Sequence, residues 1–312
     1  MALQQEPLLR LDEELSWHGH KVLTGEALHL GNISTMLPIF RREAFGPNDY
    51  LDMIVRQPDQ NDLRSIPIAA VSKRYALIQH AELVQWVRAG LKGVGVQPET
   101  IQVFVWMTEY GERLRLRFSV PEQSFDPGDG YRVVLTAECF NSVDKSCAME
   151  IRMIWLRLVC LNGMVMDETS KLRKIHDLVW MSRKDPAEFL KERLAAAPGS
   201  FGLLQKWITH KISLEAIERW ADEVIAEEWN IAAAARVCHI ARTGWDGIVA
   251  PVRRPPHLRS VSSDEEVPGA CAPVGNLYHV SQVLSWLAGK RATIEEQESW
   301  TRKIPSLIAQ LE

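Results

Sequence analysis

The sequence predicts an α+β fold: an antiparallel β-sheet half with packed helices, followed by a mostly α-helical C-terminal half. Three observations predict it. Ile101 to Phe118 reads as a β-hairpin, strand-length segments separated by strong turns follow it to about residue 161, and from Ser170 onward apolar residues recur at helical spacing.

The expected organisation is a lead-in segment over 1–65, a sheet core over 66–184, and a helical region over 185–312 with a Pro/Ser-rich loop at about 246–275. Gly46-Pro47-Asn48-Asp49 is a turn and Gln57 to Asp62 a polar loop. Ile66 to Ile78 reads as a strand pair or strand-turn. Ala81 to Leu91 places Leu83, Val84, Val87 and Leu91 at helical spacing, with Gly93-Val94-Gly95 ending the helix. After the hairpin, Asp126-Pro127-Gly128-Asp129-Gly130 is a turn, Tyr131 to Asn141 a third strand, and Ser146 to Leu161 a fourth strand or strand-to-helix element. Asn162-Gly163 signals a further turn. Asp185-Pro186 opens a helix, Ser213 to about Arg242 reads as one long amphipathic helix, Trp245 to Pro273 as a loop, and Asn276–Gly289 and Ile294–Leu311 as closing helices. No internal repeat is present.

The hairpin carries the most chemistry. Folding it about Tyr110-Gly111 pairs Thr108 with Arg113, Trp106 with Arg115 and Phe104 with Arg117 on one face. Met107 with Leu114, Val105 with Leu116 and Val103 with Phe118 share the other. One side is a dry core surface, and the other is a ladder of arginines opposite aromatics, the chemistry that stacks bases and holds phosphates. The structural alternative is a covered face whose arginines pair with Glu109, Glu112 or Glu138.

Composition narrows the field. The 312 residues are 46% hydrophobic and 24% charged, with 11 Trp against 5 Tyr, and the mean hydropathy is −0.14, which describes an ordinary globular chain. Net charge is −4 and the pI about 6.2, so any nucleic-acid site must be a local patch. Five scattered cysteines with no CxxC pair argue against a disulfide framework or zinc ribbon and suit a reducing cytoplasm. The acidic N-terminus lacks the apolar stretch of a signal peptide. The best apolar run, Met153 to Met166, is interrupted by Arg157 and Asn162-Gly163 and does not fit a bilayer span.

Asn141 to Val165, NSVDKSCAMEIRMIWLRLVCLNGMV, resembles the phage- and plasmid-associated domain-of-unknown-function 932 family. Its members carry a similar Asn-Ser-x-Asp-x-Ser turn, here Asn141, Ser142, Asp144 and Ser146, and then Arg-x-Val-Cys-x-Asn-Gly, here Arg157, Val159, Cys160, Asn162 and Gly163. Val71 to Gln85 and Asn276 to Arg291 are also similar to family segments, and the resemblance runs from about Ser65 to the C-terminus. Relatives often have Gly where this chain has Lys145. The resemblance implies a mobile-element setting beside DNA replication, recombination or anti-defence functions, and it lends no catalytic residue.

Other clusters have plainer readings. Lys171, Arg173, Lys174 and His176, with Arg183 and Lys184 beyond, form a second basic group at helical spacing: a flanking phosphate contact or a solvated helix face. Arg152 and Arg157 sit in an apolar run, so one must be buried with a partner such as Asp144, Glu150 or Asp167. His18, His20 and His29 make a weak metal signature, and Asp167, Glu168, His176 and Asp177 a weak nuclease-like one. No GxSxG elbow is present, Gly93-Val94-Gly95 lacks the context of a nucleotide loop, and Cys139 and Cys160 read as core thiols.

The expectation is a cytoplasmic, non-catalytic protein without cofactor or metal that engages single-stranded DNA for annealing, protection or recombination. Phe104, Trp106, Arg113, Arg115 and Arg117 form the face, with Lys171, Arg173 and Lys174 flanking it. Homo-oligomer formation would multiply weak contacts, and no membrane partner is expected. The rival is a module that inhibits a host defence or restriction protein. A metal-dependent nuclease is third.

Overall fold

The structure, a computed structural model, describes residues 9–59, 62–128, 130, 132–157, 162–165, 171–174, 176, 185–196 and 201–312. Of Ala27, Thr100, Arg157, 162–165, Lys171, Lys174, Phe201 and Leu203 it describes the backbone only. Turn chemistry begins the main sheet. His18 and Gly19 both take positive φ, 47° and 76°, the two-residue geometry that matches strand twist. It closes β1 (Arg10–Trp17) on β2 (His20–His29). β2 lies antiparallel to β6 (Gln102–Thr108), with Thr24 opposite Trp106.

β6 then pairs with β7 (Arg113–Phe125) in the register read from the sequence, Trp106 opposite Arg115 and Phe104 opposite Arg117. Val103, Val105, Leu114, Leu116 and Phe118 are buried together on the dry face. Gly111 makes the turn possible: its φ is +77°, and a Cβ there would stand 2.3 Å from Cγ of Pro38. β8 (Val133–Ser142), β9 (Met149–Arg157) and β10 (Asn162–Val165) extend the sheet, whose order is β1-β2-β6-β7-β8-β9-β10. A second sheet, β3 (Phe40–Ala44), β4 (Leu51–Arg56) and β5 (Ile66–Ser72), is three-stranded. Phe40, Ile54 and Val71 from it pack with Tyr75 and Val143.

Helices dominate the C-terminal half, so the class is α+β as expected. α1 (His80–Gly93) opens on a capping box made by Gln79 and Glu82. Later come α2 (Pro186–Ala196), α3 (Phe201–Thr209), α4 (Leu214–Trp220), α5 (Ala226–Glu228), α6 (Ile231–Thr243), α7 (Leu277–Gly289) and α8 (Ile294–Ala309). Ser213, Asn230, Asn276 and Thr293 each accept a backbone N–H at a helix start. The chain forms two compact units: Met1–Val120, Thr136–Met153 and Glu168–Ala196 make the first, and Pro121–Leu135, Ile154–Asp167 and Ala197–Glu312 the second. Among the described residues no helix is long and apolar enough to cross a membrane.

Four local expectations are corrected. Asn162 and Gly163 are not a turn but the start of β10 (Asn162–Val165), opposite Arg157 and Leu156. Lys171 to Lys174 is not helical: it is β11, whose Leu172 is buried and whose backbone pairs with β9. Four residues are too few for a helix to satisfy its own backbone, and the open edge of β9 supplies partners. The long helix over 213–242 breaks, because α4 runs through a π-turn at Ala221–Ile225 into α5 and Asn230 then starts α6 afresh. The stretch from Trp245 carries β12 (Trp245–Val249) and β13 (Val261–Glu266), which pair with each other. β13 reads VSSDEE and is exposed, so no period-2 apolar signal marked it.

Candidate functional site

The sheet register brings Trp106, Arg115 and Arg117 onto one face of the first unit, and β8 and β9 add Glu138, Phe140 and Arg152 to the same cluster. Glu138 is its hub. Arg115 donates from Nε to Oε1 at 2.8 Å, Arg117 from Nη2 to Oε1 at 2.9 Å, and Arg152 from Nε to Oε2 at 2.7 Å. Arg115 lies 4.8 Å and Arg117 5.3 Å from the Trp106 ring centre, while Arg152 lies 5.0 Å from that of Phe140. Burial alone would raise the Glu138 carboxyl, but Arg115, Arg152 and Arg117 overcome it and hold the group well below its usual range. Burial likewise lowers Arg117, with Glu138 opposing.

Of the two readings of this face, the covered one forms: Arg115 and Arg117 pair with Glu138, one of the three acids named for it, and the open guanidinium face does not. Arg113, Arg115 and Arg117 are only 5%, 4% and 9% exposed, and they spend their donors on carboxylates and carbonyls instead of water. The physical reason for Arg115 and Arg117 is Glu138, a mid-strand acid that draws them inward, and for Arg113 it is Asp144, since a buried charge must be paired. The partner of Arg152 is chiefly Glu138 and not Asp144, while Glu150 stands 3.9 Å away. Phe104 and Trp106 remain half-exposed, near-parallel at 25° with centres 6.4 Å apart.

The face opens toward β1. Directly opposite residues share a face, so the row Arg10, Thr24, Trp106, Arg115 runs from an exposed edge to a buried centre. Sequence reasoning missed Arg10, because the register of β1 is invisible until β2 is placed. Arg173 is exposed on β11, opposite Glu150. The side chains of Lys171, Lys174 and Arg157 lie outside the described residues, as do Cys160, Asp167, Glu168, Asp177, Arg183 and Lys184.

Arg113 joins a second cluster. Its Nη2 donates to Oδ2 of Asp144 at 2.6 Å, its Nε to Oγ of Ser146 at 2.7 Å, and its Nη1 to the carbonyl of Trp17 at 2.8 Å. The Asn-Ser-x-Asp-x-Ser segment is a scaffold. Ser142 Oγ donates to the Cys147 carbonyl at 2.8 Å, and Asn141 Nδ2 donates to the Ile78 carbonyl at 2.9 Å and lies 3.0 Å from Nδ1 of His80. His80 Nε2 donates to the Gly111 carbonyl at 2.7 Å, and burial lowers this histidine to about 4. His176 stacks on Tyr75 with ring centres 5.1 Å apart, and Tyr75 donates to the Ser142 carbonyl at 3.1 Å. Lys145 has φ +71°, a left-handed turn position where glycine fits without strain.

Other candidate chemistry does not assemble. His18 sits in the β1–β2 turn, His20 is 2.7 Å from Glu112, and His29 ends β2. Among the described residues no group of three His, Cys, Asp or Glu side chains could hold a metal. Burial pushes the Cys139 thiol up and that of Cys147 up to about 11, which leaves neither as a ready nucleophile.

No curated protein and no solved structure matches the chain. Residues 67–246, more than half of its length, match the family described as Domain of unknown function (DUF932). That segment holds the arginine–Glu138 cluster and the Asn141–Ser146 scaffold, and the chain belongs to this family.

Proposed function

We propose that the first unit binds single-stranded nucleic acid on one face of its sheet, with Phe104 and Trp106 as the stacking platform. One observation carries this reading: two half-exposed, near-parallel rings, alternate residues of one strand, on a sheet face. Sheet-borne aromatic pairs of this kind stack successive bases without regard to sequence. The buried arginines take a different role from the one expected. They press on the Trp106 ring from within and fix its orientation, while backbone phosphates meet exposed side chains such as Arg10, with Arg173 further along the sheet. Asp12, Glu13, Glu14 and Glu26 on β1 and β2 keep the affinity modest, and the phosphate contacts make it salt-sensitive. Annealing or protection of strands in a mobile-element setting fits such a non-catalytic site. The four described cysteines are free thiols, which suits the cytoplasm.

Fluorescence polarisation with a labelled oligonucleotide tests the reading. Trp106→Ala weakens binding roughly ten-fold, since one base–aromatic stack is worth about 1–3 kcal/mol, and leaves the salt slope alone. An intact protein that binds no oligonucleotide at low salt defeats the proposal. The rival, a module that contacts a host defence or restriction protein, draws support from apolar residues left in water on the first unit: Ile39, Tyr50 and Leu63 are 60%, 84% and 84% exposed. Co-purification of a host protein, with no oligonucleotide binding, favours it.

A further inference from the structure

The ribbon β12–β13 of the second unit carries opposite charges at its two ends. Its register runs from Val249 opposite Val261 at the loop end to Trp245 opposite Glu266 at the base, a length of about 15 Å at roughly 3.3 Å per residue. Beyond the loop end, residues 251–255 are all exposed and include Arg253 and Arg254. Along the ribbon from Asp246 to Val249, beside α6, is a cleft of about 430 Å³ lined by Arg236, Asp246, Ile248, Val249, Asp264 and Glu265 among others. That volume is within the usual range for a ligand site, roughly 300–1,000 Å³.

The cleft is built and acidic. Arg236 is consumed by Asp246, donating from Nε to Oδ1 at 2.7 Å, and Trp286 Nε1 donates to the same carboxylate at 2.7 Å. Gly247 closes its wall against the carbonyl of Ser262, where a Cβ would stand 1.3 Å from the oxygen. Glu265 pairs with Lys290 at 2.7 Å. Asp264 is left as an exposed carboxylate at the mouth, beside the 73% exposed Ile248. The site therefore asks for a cation on a short apolar stem. Arg253 and Arg254, followed by Pro255 and Pro256, offer that chemistry on the same ribbon, but at its far end.

We infer that the occupant is a second copy of this chain. In a two-fold pair, the basic tip of each ribbon enters the acidic cleft of the other, and one surface supplies both halves of the contact twice over. The arginines meet Asp264, and Ile248 and Val249 are covered by the exposed Val252 and Pro255. Within one copy, among the described residues, Arg253, Arg254 and Asp264 form no ion pair, so each half of the contact is left for a partner.

Sedimentation velocity on the full chain tests this at 50 and 500 mM salt. A concentration-dependent dimer is expected, weakened at high salt. Arg253→Glu with Arg254→Glu, and separately Asp264→Arg, each produce monomers whose circular dichroism matches the parent. Mixing these two variants restores the dimer, because the reversed tip now faces the reversed cleft and the two unaltered halves still match. A parent that is monomeric at all concentrations overturns the proposal. So does a dimer indifferent to the reversals, or two monomeric variants that fail to recombine. A monomer that binds hexa-arginine at this cleft overturns it in favour of a foreign basic segment.

Discussion

Arg152 on β9 donates through Nε to Oε2 of Glu138 on β8 at 2.7 Å, with each side chain only 1% exposed. Arg115 and Arg117 converge on the other oxygen. The centre of the family-matched sheet is thus held by charge where most sheets use hydrocarbon. Such a cluster specifies register, because a one-residue slip of any strand would leave a guanidinium without its carboxylate.

Glu138→Gln removes the negative hub and leaves the guanidiniums crowded. The expected loss is about 3–5 kcal/mol, read as a lower urea midpoint. A carboxylate held below its ordinary value stabilises the fold above about pH 4.3, and that contribution is lost as pH falls through the folded value. The parent therefore loses stability on acidification from about pH 4.3 downward, and Glu138→Gln loses this part of the dependence. An unchanged midpoint at pH 7 would show the cluster to be dispensable.

His80 predicts a second, higher pH window. Burial lowers it to about 4 against an unfolded value of about 6.5, so the unfolded chain takes the proton first. Stability is full above pH 6.5 and falls as pH drops toward 4, by about 3 kcal/mol in all. His80→Phe destabilises at pH 7 by stranding the Gly111 carbonyl, yet it flattens the slope between pH 7 and 5. His176, lowered by burial as well, accounts for slope that persists. Equal slopes in parent and variant would refute the assignment.

Lys145 is expected to tolerate glycine. A side chain at left-handed φ costs roughly 1–2 kcal/mol, and glycine recovers this minus roughly 0.5–1 kcal/mol of chain entropy. Lys145→Gly also gives up the bond from Nζ to the Ala70 carbonyl, so it falls within about 1 kcal/mol of the parent. Lys145→Val, β-branched at the same φ, loses more than 1 kcal/mol. Thermal melts of the two variants order them. A valine variant as stable as the glycine one would remove the strain argument.

For nucleic acid, the informative charge is at the rim. Arg10→Gln lowers the slope of log affinity against log salt by about 0.7, the value for one phosphate on a single strand. Arg115→Gln instead unfolds or loosens the sheet, because it breaks the Glu138 cluster. An Arg10 variant with the parental slope would move the phosphate contact elsewhere.

The hairpin register was legible because alternation and turn chemistry are local. Val103 to Phe118 could be paired from the sequence alone, and the faces came out as written. Exposure was legible only as two alternatives, an open face or one covered through Glu109, Glu112 or Glu138. Whether Arg115 meets water depends on Glu138, a residue on another strand whose neighbours are set only once β7 and β8 meet. Arg10 was hidden for the same reason, two strands away from Trp106. β13 escaped notice because an exposed ribbon with no apolar face leaves no periodic trace, and Asn230 interrupted a helix whose apolar stripe runs on across the break. The family motif is plain in the sequence, but its role emerges only in the fold. Asn141, Ser142, Asp144 and Ser146 hold backbone and arginine, a role that spacing alone does not distinguish from catalysis.

The pairing of β2 with β6, reinforced by the bond from Arg113 to the carbonyl of Trp17, has a practical consequence. Both outer partners lie upstream of the 67–246 family match. A clone trimmed to that stretch would bare the flank of Gln102–Thr108, a ready template for a neighbouring molecule. Such a fragment is expected to self-associate through that flank, whereas one that keeps Arg10–His29 leaves it paired.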